Sequence, residues 1–160
     1  WVTWKDMGVL DNWGDGTITR DVIDTMVGEH GRGGRHHGGG FYEYGEDGSK
    51  AIWPGLMDLY FNADVSVAED DMKDRLLFRQ VIEALKCLET NVLRTVADGN
   101  IGSIMGIGAP AWTGGLIQFV NTYGLERFSA RCAELANQYG DRFDAPAIVG
   151  EKIAAGETFA

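Results

Sequence analysis

Apolar residues recur at steps of three and four along much of the chain, which is the spacing of one buried face of an α-helix. The two clearest segments cover residues 71–90 and residues 125–139, and Gly140 is a natural stop for the second. The apolar positions that define these two segments are Met72, Leu76, Leu77, Val81, Leu85, Leu88, Leu125, Phe128, Cys132, Leu135 and Tyr139. Shorter helices are predicted at residues 17–29, after Pro54, from about Asp98, at residues 115–123 and over Pro146–Ala155.

Strand patterns are short by comparison. No alternation of apolar and polar residues runs beyond about four positions, and Phe41–Tyr44 is the segment predicted to be extended. Gly45–Gly48 and Asp11–Gly16 have the composition of turns. Residues 61–69 are largely polar and acidic, which predicts a linker. The predicted fold class is therefore all-α.

A glycine-rich apolar stretch, Ile101–Gly115, separates two of the helical patterns. It contains five glycines, which weaken a helix and leave backbone exposed, so the sequence predicts a loop here. The stretch has no Lys, Arg, His or carboxylate and is not expected to carry out chemistry itself. Its glycines would allow another segment to approach closely, and Trp112 would anchor it.

Composition limits the possible functions. The 160 residues suit one domain or two small ones, and a formal net charge of −10 argues against binding nucleic acid or an anionic membrane. No apolar run approaches the length of a membrane span, and no signal peptide is visible. Cys87 and Cys132 lie in helical patterns and are interpreted as thiols in a reducing, cytoplasmic compartment. A start at Trp1 indicates a fragment or a processed chain.

The Gly31–Gly40 segment is the first candidate site. It has six glycines, and Arg32, Arg35, His36 and His37 form the one concentration of positive charge in an acidic chain. Such a segment can hold phosphate, but a flexible surface turn is the favoured interpretation. Adjacent histidines seldom converge on one ion, so no metal site is predicted.

Acidic residues on the long predicted helix are the second candidate. Asp70 or Asp71 is the expected N-cap, and Asp74 and Glu83 follow on the same helix. A solvated face is favoured over a pair of catalytic carboxylates. No Ser/His/Asp or Cys/His set stands out. The residues alone leave two functions open, a helical subdomain that completes an enzyme or a module for docking and dimerisation.

Two sets of motifs resemble a known family. The segment Gly34-Arg-His-His-Gly-Gly-Gly-Phe-Tyr-Glu-Tyr44 is similar to the signature that ends the C-terminal domain of 3-hydroxyacyl-CoA dehydrogenases. Asp74-Arg-Leu-Leu-Phe78, Asn100-Ile-Gly-Ser-Ile-Met-Gly-Ile-Gly108 and Trp112-Thr-Gly-Gly115 resemble a second copy of that domain. Tandem copies are typical of the multifunctional α subunit of fatty-acid oxidation, which joins enoyl-CoA hydratase to this dehydrogenase.

The resemblance implies an arrangement of repeats. Residues 1–60 would be the tail of a first C-terminal repeat, residues 61–69 a linker, and residues 70–155 a second repeat. The implied fold is a helical bundle like the C-terminal, 6-phosphogluconate dehydrogenase-like domain of the family. The parent enzyme would oxidise (3S)-3-hydroxyacyl-CoA with NAD, and it would hold NAD on a Rossmann domain that this chain does not contain.

The resemblance also implies site residues. A family lysine that contacts the cofactor matches His36, and a residue near substrate in the second repeat matches Met105. Asp74 stands where the family has its catalytic Asn, and a carboxylate cannot donate the hydrogen bond of an amide. No catalytic residue, bound cofactor or metal is therefore expected in this chain, and it should be inactive alone.

The partners implied for the parent are its hydratase and Rossmann domains, a thiolase subunit and acyl-CoA. A chain that has lost most of its first repeat exposes an apolar face, so self-association is expected. A stand-alone docking module with no catalytic parent is the alternative.

Overall fold

The structure is a computed structural model that describes residues 17–160, so the turn predicted at Asp11–Gly16 lies outside the described residues. The chain divides into two compact units at Val65 and Ser66. The described residues form seven α-helices and one two-stranded sheet, which confirms the all-α prediction. None of these helices is long and apolar enough to cross a membrane.

The first unit combines short helices with a hairpin. The helix α1 continues into a π-helical turn, and the strands β1 and β2 pair antiparallel with Tyr42 opposite Ile52. Pro54 opens α2, where its missing N–H is harmless. The elements are α1 (Thr17–Ile23), the π turn (Asp24–Glu29), a 3₁₀ turn (Arg35–His37), β1 (Tyr42–Tyr44), β2 (Lys50–Ile52) and α2 (Pro54–Tyr60).

The second unit is a helical bundle. Gly124 separates two of its helices, and Gly140, with φ of 99°, ends the longer of that pair as predicted. The elements are α3 (Glu69–Glu89), α4 (Val96–Ile107), a 3₁₀ turn (Ala111–Thr113), α5 (Leu116–Tyr123), α6 (Leu125–Tyr139), a second 3₁₀ turn (Asp141–Phe143) and α7 (Ala147–Ala155).

Aromatic rings fill the centre of this bundle. Phe78 is fully buried and stacks on Phe128, with ring centroids 4.8 Å apart. The edges of Phe119 and Tyr123 meet the same ring at centroid distances of 5.9 Å and 5.4 Å. Phe159, near the end of the chain, also joins the core, because the Asn121 side chain donates to its carbonyl and accepts from its N–H.

The predicted apolar stripe of α3 is partly wrong. Met72 and Leu76 are 48% and 72% exposed, whereas Phe78 and Ile82 are fully buried. The helix begins at Glu69 with Ala68 at its N-cap, so neither Asp70 nor Asp71 caps it. Both aspartates instead lie in the first turn, where the helix dipole favours negative charge.

The predicted loop at Ile101–Gly115 is wrong in its first half, because α4 runs through Ile107. Thr95 caps this helix by accepting from the N–H of Asp98 at 3.0 Å, and a side chain at Gly99 would collide with Ile117. Close packing against α5 thus compensates for poor helix propensity. Trp112 is 76% exposed, so it does not anchor the segment as predicted.

Candidate functional site

The carboxylates of α3 converge on one arginine of α6. The Arg131 guanidinium donates through Nε to Asp74 Oδ2 at 2.7 Å and through Nη2 to Asp71 Oδ1 at 2.5 Å. Its third nitrogen meets Glu134, the next turn along its own helix, at 2.9 Å. Because Arg131, Asp71 and Asp74 are at most 25% exposed, the two bonds between the helices are partly shielded from water.

An aromatic residue completes this cluster. The Tyr139 hydroxyl donates to Asp71 Oδ2 at 2.9 Å, and the Arg75 guanidinium lies 4.2 Å from the centroid of the Tyr139 ring. The hydrogen bond from Arg131, and then that from Tyr139, holds the pKa of Asp71 below its ordinary value. Burial, together with the bond to Asp71, raises the pKa of Tyr139.

This cluster is an ion-pair network that links α3 to α6. Asp71 and Asp74 both bond the same guanidinium, so each carboxylate has a positively charged partner and the two are not an isolated like-charge pair. The sequence predicts a solvated face for these two carboxylates together with Asp70 and Glu83. This prediction missed Arg131, which is 57 residues distant from Asp74 and carries no local signal of its role.

A second polar junction joins α4 to α5. Asn100 Oδ1 accepts from the N–H groups of Ile117 and Gln118 at 3.1 Å and 2.9 Å, and Ser103 Oγ accepts from that of Leu116 at 3.2 Å. These side chains satisfy the open N–H groups at the start of α5. Gly115 lies between them with φ of 111°, and a Cβ there would be 2.5 Å from Asn100 Cα.

The Gly31–Gly40 segment is ordered around Arg32. Its guanidinium donates through Nε to the carbonyl of Gly40 at 2.7 Å and through Nη2 to that of Tyr42 at 3.2 Å. It also lies 4.3 Å from the centroid of the Trp53 ring. Arg32 is thus occupied in holding the turn. His36 is exposed in the 3₁₀ turn that follows.

Met105 is 81% exposed on α4. It does not line the nearby cavity of about 470 Å³, whose walls include Ala84 of α3, Ile107 of α4 and Leu93 between these two helices. His36 belongs to the first unit and Met105 to the second. Across residues 17–160, no three His, Cys, Asp or Glu side chains gather as a metal site would require.

Comparison with known proteins relates the chain to a subunit of fatty acid oxidation. No protein-family model matches the chain. The fatty acid oxidation complex subunit alpha of Vibrio campbellii is 33% identical to it over 126 residues, which are 77% of the chain. The chain is a relative of one part of this α subunit. It spans 17% of the subunit's length, and the resemblance predicted from the Gly34–Tyr44 signature and the later motifs is confirmed.

The motif resemblance predicts that Asp74 stands at the position of the family's catalytic Asn, and this correspondence stays a prediction. In the structure, the Asp74 carboxylate bonds Arg131. An Asn at this position could offer only a neutral oxygen to that guanidinium. Asp74 and Arg131 therefore form an ion pair whose role is structural.

Proposed function

We propose that the chain is the C-terminal helical part of a 3-hydroxyacyl-CoA dehydrogenase within a multifunctional fatty acid oxidation α subunit. The observation that carries this proposal is the 33% identity to the Vibrio campbellii subunit over 126 residues. The helical build of residues 17–160 and the Gly34–Tyr44 signature support it. The reaction of the whole enzyme is oxidation of a (3S)-3-hydroxyacyl-CoA to the 3-ketoacyl-CoA.

The described residues do not fit a nicotinamide site of their own. A dinucleotide fold needs parallel strands with a glycine-rich turn into a helix, whereas the sheet here has two antiparallel strands of three residues each. In this proposal NAD is held by other domains of the parent enzyme, and this chain shapes and supports the dehydrogenase. His36 contributes at most a contact to the cofactor.

Two further features favour a structural role for the second repeat, with no part in catalysis. The resemblance predicts that Asp74 replaces the catalytic amide, and in the structure its carboxylate forms an ion pair with Arg131. Met105 is free to contact an acyl chain, but a thioether offers only apolar contact. We assign residues 70–155 as a repeat that packs in the enzyme and leaves the chemistry to the other domains.

A segment exchange tests the proposal directly. The matching 126-residue segment of the Vibrio campbellii subunit is replaced by that of this chain, and NADH-dependent reduction of acetoacetyl-CoA is measured. The exchange should retain activity that a deletion of the segment loses, and the 160-residue chain alone should give none. A folded hybrid as inactive as the deletion, or turnover by the chain alone, would overturn the proposal.

A docking and dimerisation module is the second candidate function. The exposed apolar side chains of α4 favour it, because Ile101, Met105 and Ile107 are 64%, 81% and 68% exposed. Under this function the chain self-associates, and the hybrid shows no dehydrogenase activity. Light scattering across a concentration series measures the first point, and a clean monomer at high concentration contradicts it.

A further inference from the structure

A second cavity of the bundle has a different character from the apolar one. It lies between α3 and the Asp141–Phe143 turn and has a volume of about 420 Å³. Three arginines and three apolar residues line it, and no carboxylate does. The lining residues, here called the arginine groove, are Met72, Arg75, Leu76, Arg79, Arg142 and Phe143.

Two of the three arginines of this groove form no ion pair with a carboxylate among the described residues. Arg79 pairs with Glu83 at 2.6 Å and also donates to the Arg142 carbonyl at 3.1 Å. In the part of the chain that the structure describes, no carboxylate oxygen lies within 4.0 Å of the guanidinium nitrogens of Arg75 or Arg142. These two side chains instead lie over the Tyr139 and Phe143 rings.

The acidic residues close to the groove in sequence do not line it. Asp71 interacts with Arg75 through space, but its oxygens accept hydrogen bonds from Arg131 and Tyr139. Asp141 and Asp144 flank Arg142 and Phe143 in sequence without lining the groove. The groove is therefore a local positive site on a chain whose formal net charge is −10.

The apolar part of the groove is accessible as well. Met72 and Leu76 are the two side chains of α3 that the helical pattern predicted to be buried and that the structure leaves 48% and 72% exposed. Phe143, which closes the other wall, is buried. An inorganic anion would use the arginines and leave these side chains in water. A neutral lipid would use the side chains and leave the arginines unpaired.

We propose that the arginine groove binds a small amphiphilic anion, with a phosphate or carboxylate head on the guanidinium groups and an aliphatic tail along Met72 and Leu76. Guanidinium forks match both head groups, and the volume is within the range of ligand pockets. Neither His36 nor Met105 lines the groove. It does not depend on whether the chain belongs to a dehydrogenase.

Calorimetric titration of the 160-residue chain tests the site. Octyl phosphate and octanoate, each below its micelle-forming concentration, distinguish the two head groups. Inorganic phosphate and octanol supply the head and the tail alone. Binding of at least one octyl anion should be about tenfold or more tighter than that of either partial probe, and it should weaken with added salt. Equal binding of octanol and the anions would overturn the proposal.

Matched variants locate the site. Arg142→Gln and Leu76→Gln should each weaken binding about five- to tenfold. Arg94→Gln removes the same charge from another exposed position, and Val92→Gln changes an apolar side chain that is also 72% exposed. Neither control should alter binding by more than about twofold. Circular dichroism confirms folding, and Arg75→Gln repeats the charge test if Arg142→Gln is unfolded. Equal losses in groove and control variants would refute the assignment.

Discussion

Different interactions stabilise each of the two units of the chain. Residues 66–160 have a core of sixteen buried apolar side chains. In residues 20–65, Met26 is the one apolar side chain that is buried. Polar contacts are prominent in that stretch, where Arg32 donates hydrogen bonds to two carbonyls and lies over the Trp53 ring. The stabilising free energy from burial scales with the apolar area removed from water. The second unit should therefore tolerate the loss of a surface polar contact better than the first unit does.

The largest expected effect is at the centre of the bundle. Phe128→Ala removes a fully buried ring that stacks on Phe78, and it should lower the free energy of unfolding of the second unit by about 3–5 kcal/mol. Urea unfolding followed by circular dichroism measures the loss. Trp112→Ala, at a position that is 76% exposed, is the control and should cost far less. Equal losses for the two would contradict the assigned core.

Gly115 should be the next most sensitive position. Gly115→Ala introduces a Cβ 2.5 Å from Asn100 Cα at a φ of 111°, so a loss of about 2–3 kcal/mol is expected. Gly102→Ala is the matched control, because a Cβ there meets nothing within 4 Å. Since it lies inside α4, Gly102→Ala should stabilise the unit by about 0.5–1 kcal/mol. The same urea series measures both, and a tolerated Gly115→Ala would refute the close approach of α4 and α5.

The Asp71 cluster adds a pH-dependent contribution to the second unit. Arg131, and then Tyr139, hold the pKa of Asp71 below its ordinary value of 3.8. The ionised form is thus favoured in the folded state, so the contribution is complete above pH 3.8 and is lost as the pH falls through the lowered value. Asp71→Asn should destabilise the unit at neutral pH, and its difference from the unchanged chain should shrink in acid.

Asp70→Asn is the control for this prediction. Asp70 lies in the same helical turn and shares the favourable interaction with the helix dipole, but it has no ion-pair partner among residues 17–160. The comparison of the two variants across a pH series of urea unfolding curves isolates the ion pair. An Asp71→Asn difference that stays constant down to the lowest pH would show that the cluster does not titrate as described.

The smallest predicted effect is confined to the first unit. Arg32→Lys replaces the planar fork with a single ammonium, which cannot bond both carbonyls and cover Trp53 at once. The backbone bonds between Gly34 and Gly39 should open more often, and their amides should exchange about tenfold faster. Arg35→Lys is the control at an exposed position of the same segment. Unchanged exchange in Arg32→Lys would refute the role of Arg32.

The helices that sequence periodicity predicted well are those whose neighbours cover one face evenly. On α6, Leu125, Phe128, Cys132 and Leu135 are all buried as predicted. On α3, burial begins at Phe78, because the turns before it extend beyond the core and their apolar residues border the arginine groove. A pattern along one helix contains no information about where its partners end.

The polar junctions were beyond prediction for a related reason. Asn100 and Gly115 meet only because α4 continues through a glycine-rich stretch whose composition predicts a loop. Tertiary packing at Gly99 overrides that local preference. Arg131 meets Asp71 across 60 residues, a contact that no short motif encodes. The assignment of repeats and the roles of His36 and Met105 stay predictions.

The Asn121–Phe159 pair has a consequence for synthesis of the protein. Translation proceeds from the N-terminus, so α5 leaves the ribosome well before Phe159, whose ring is buried in the same core. The nascent bundle therefore lacks this part of its apolar core until Phe159 emerges from the exit tunnel. During that interval we expect the uncovered apolar side chains to be open to chaperones that bind exposed apolar surface.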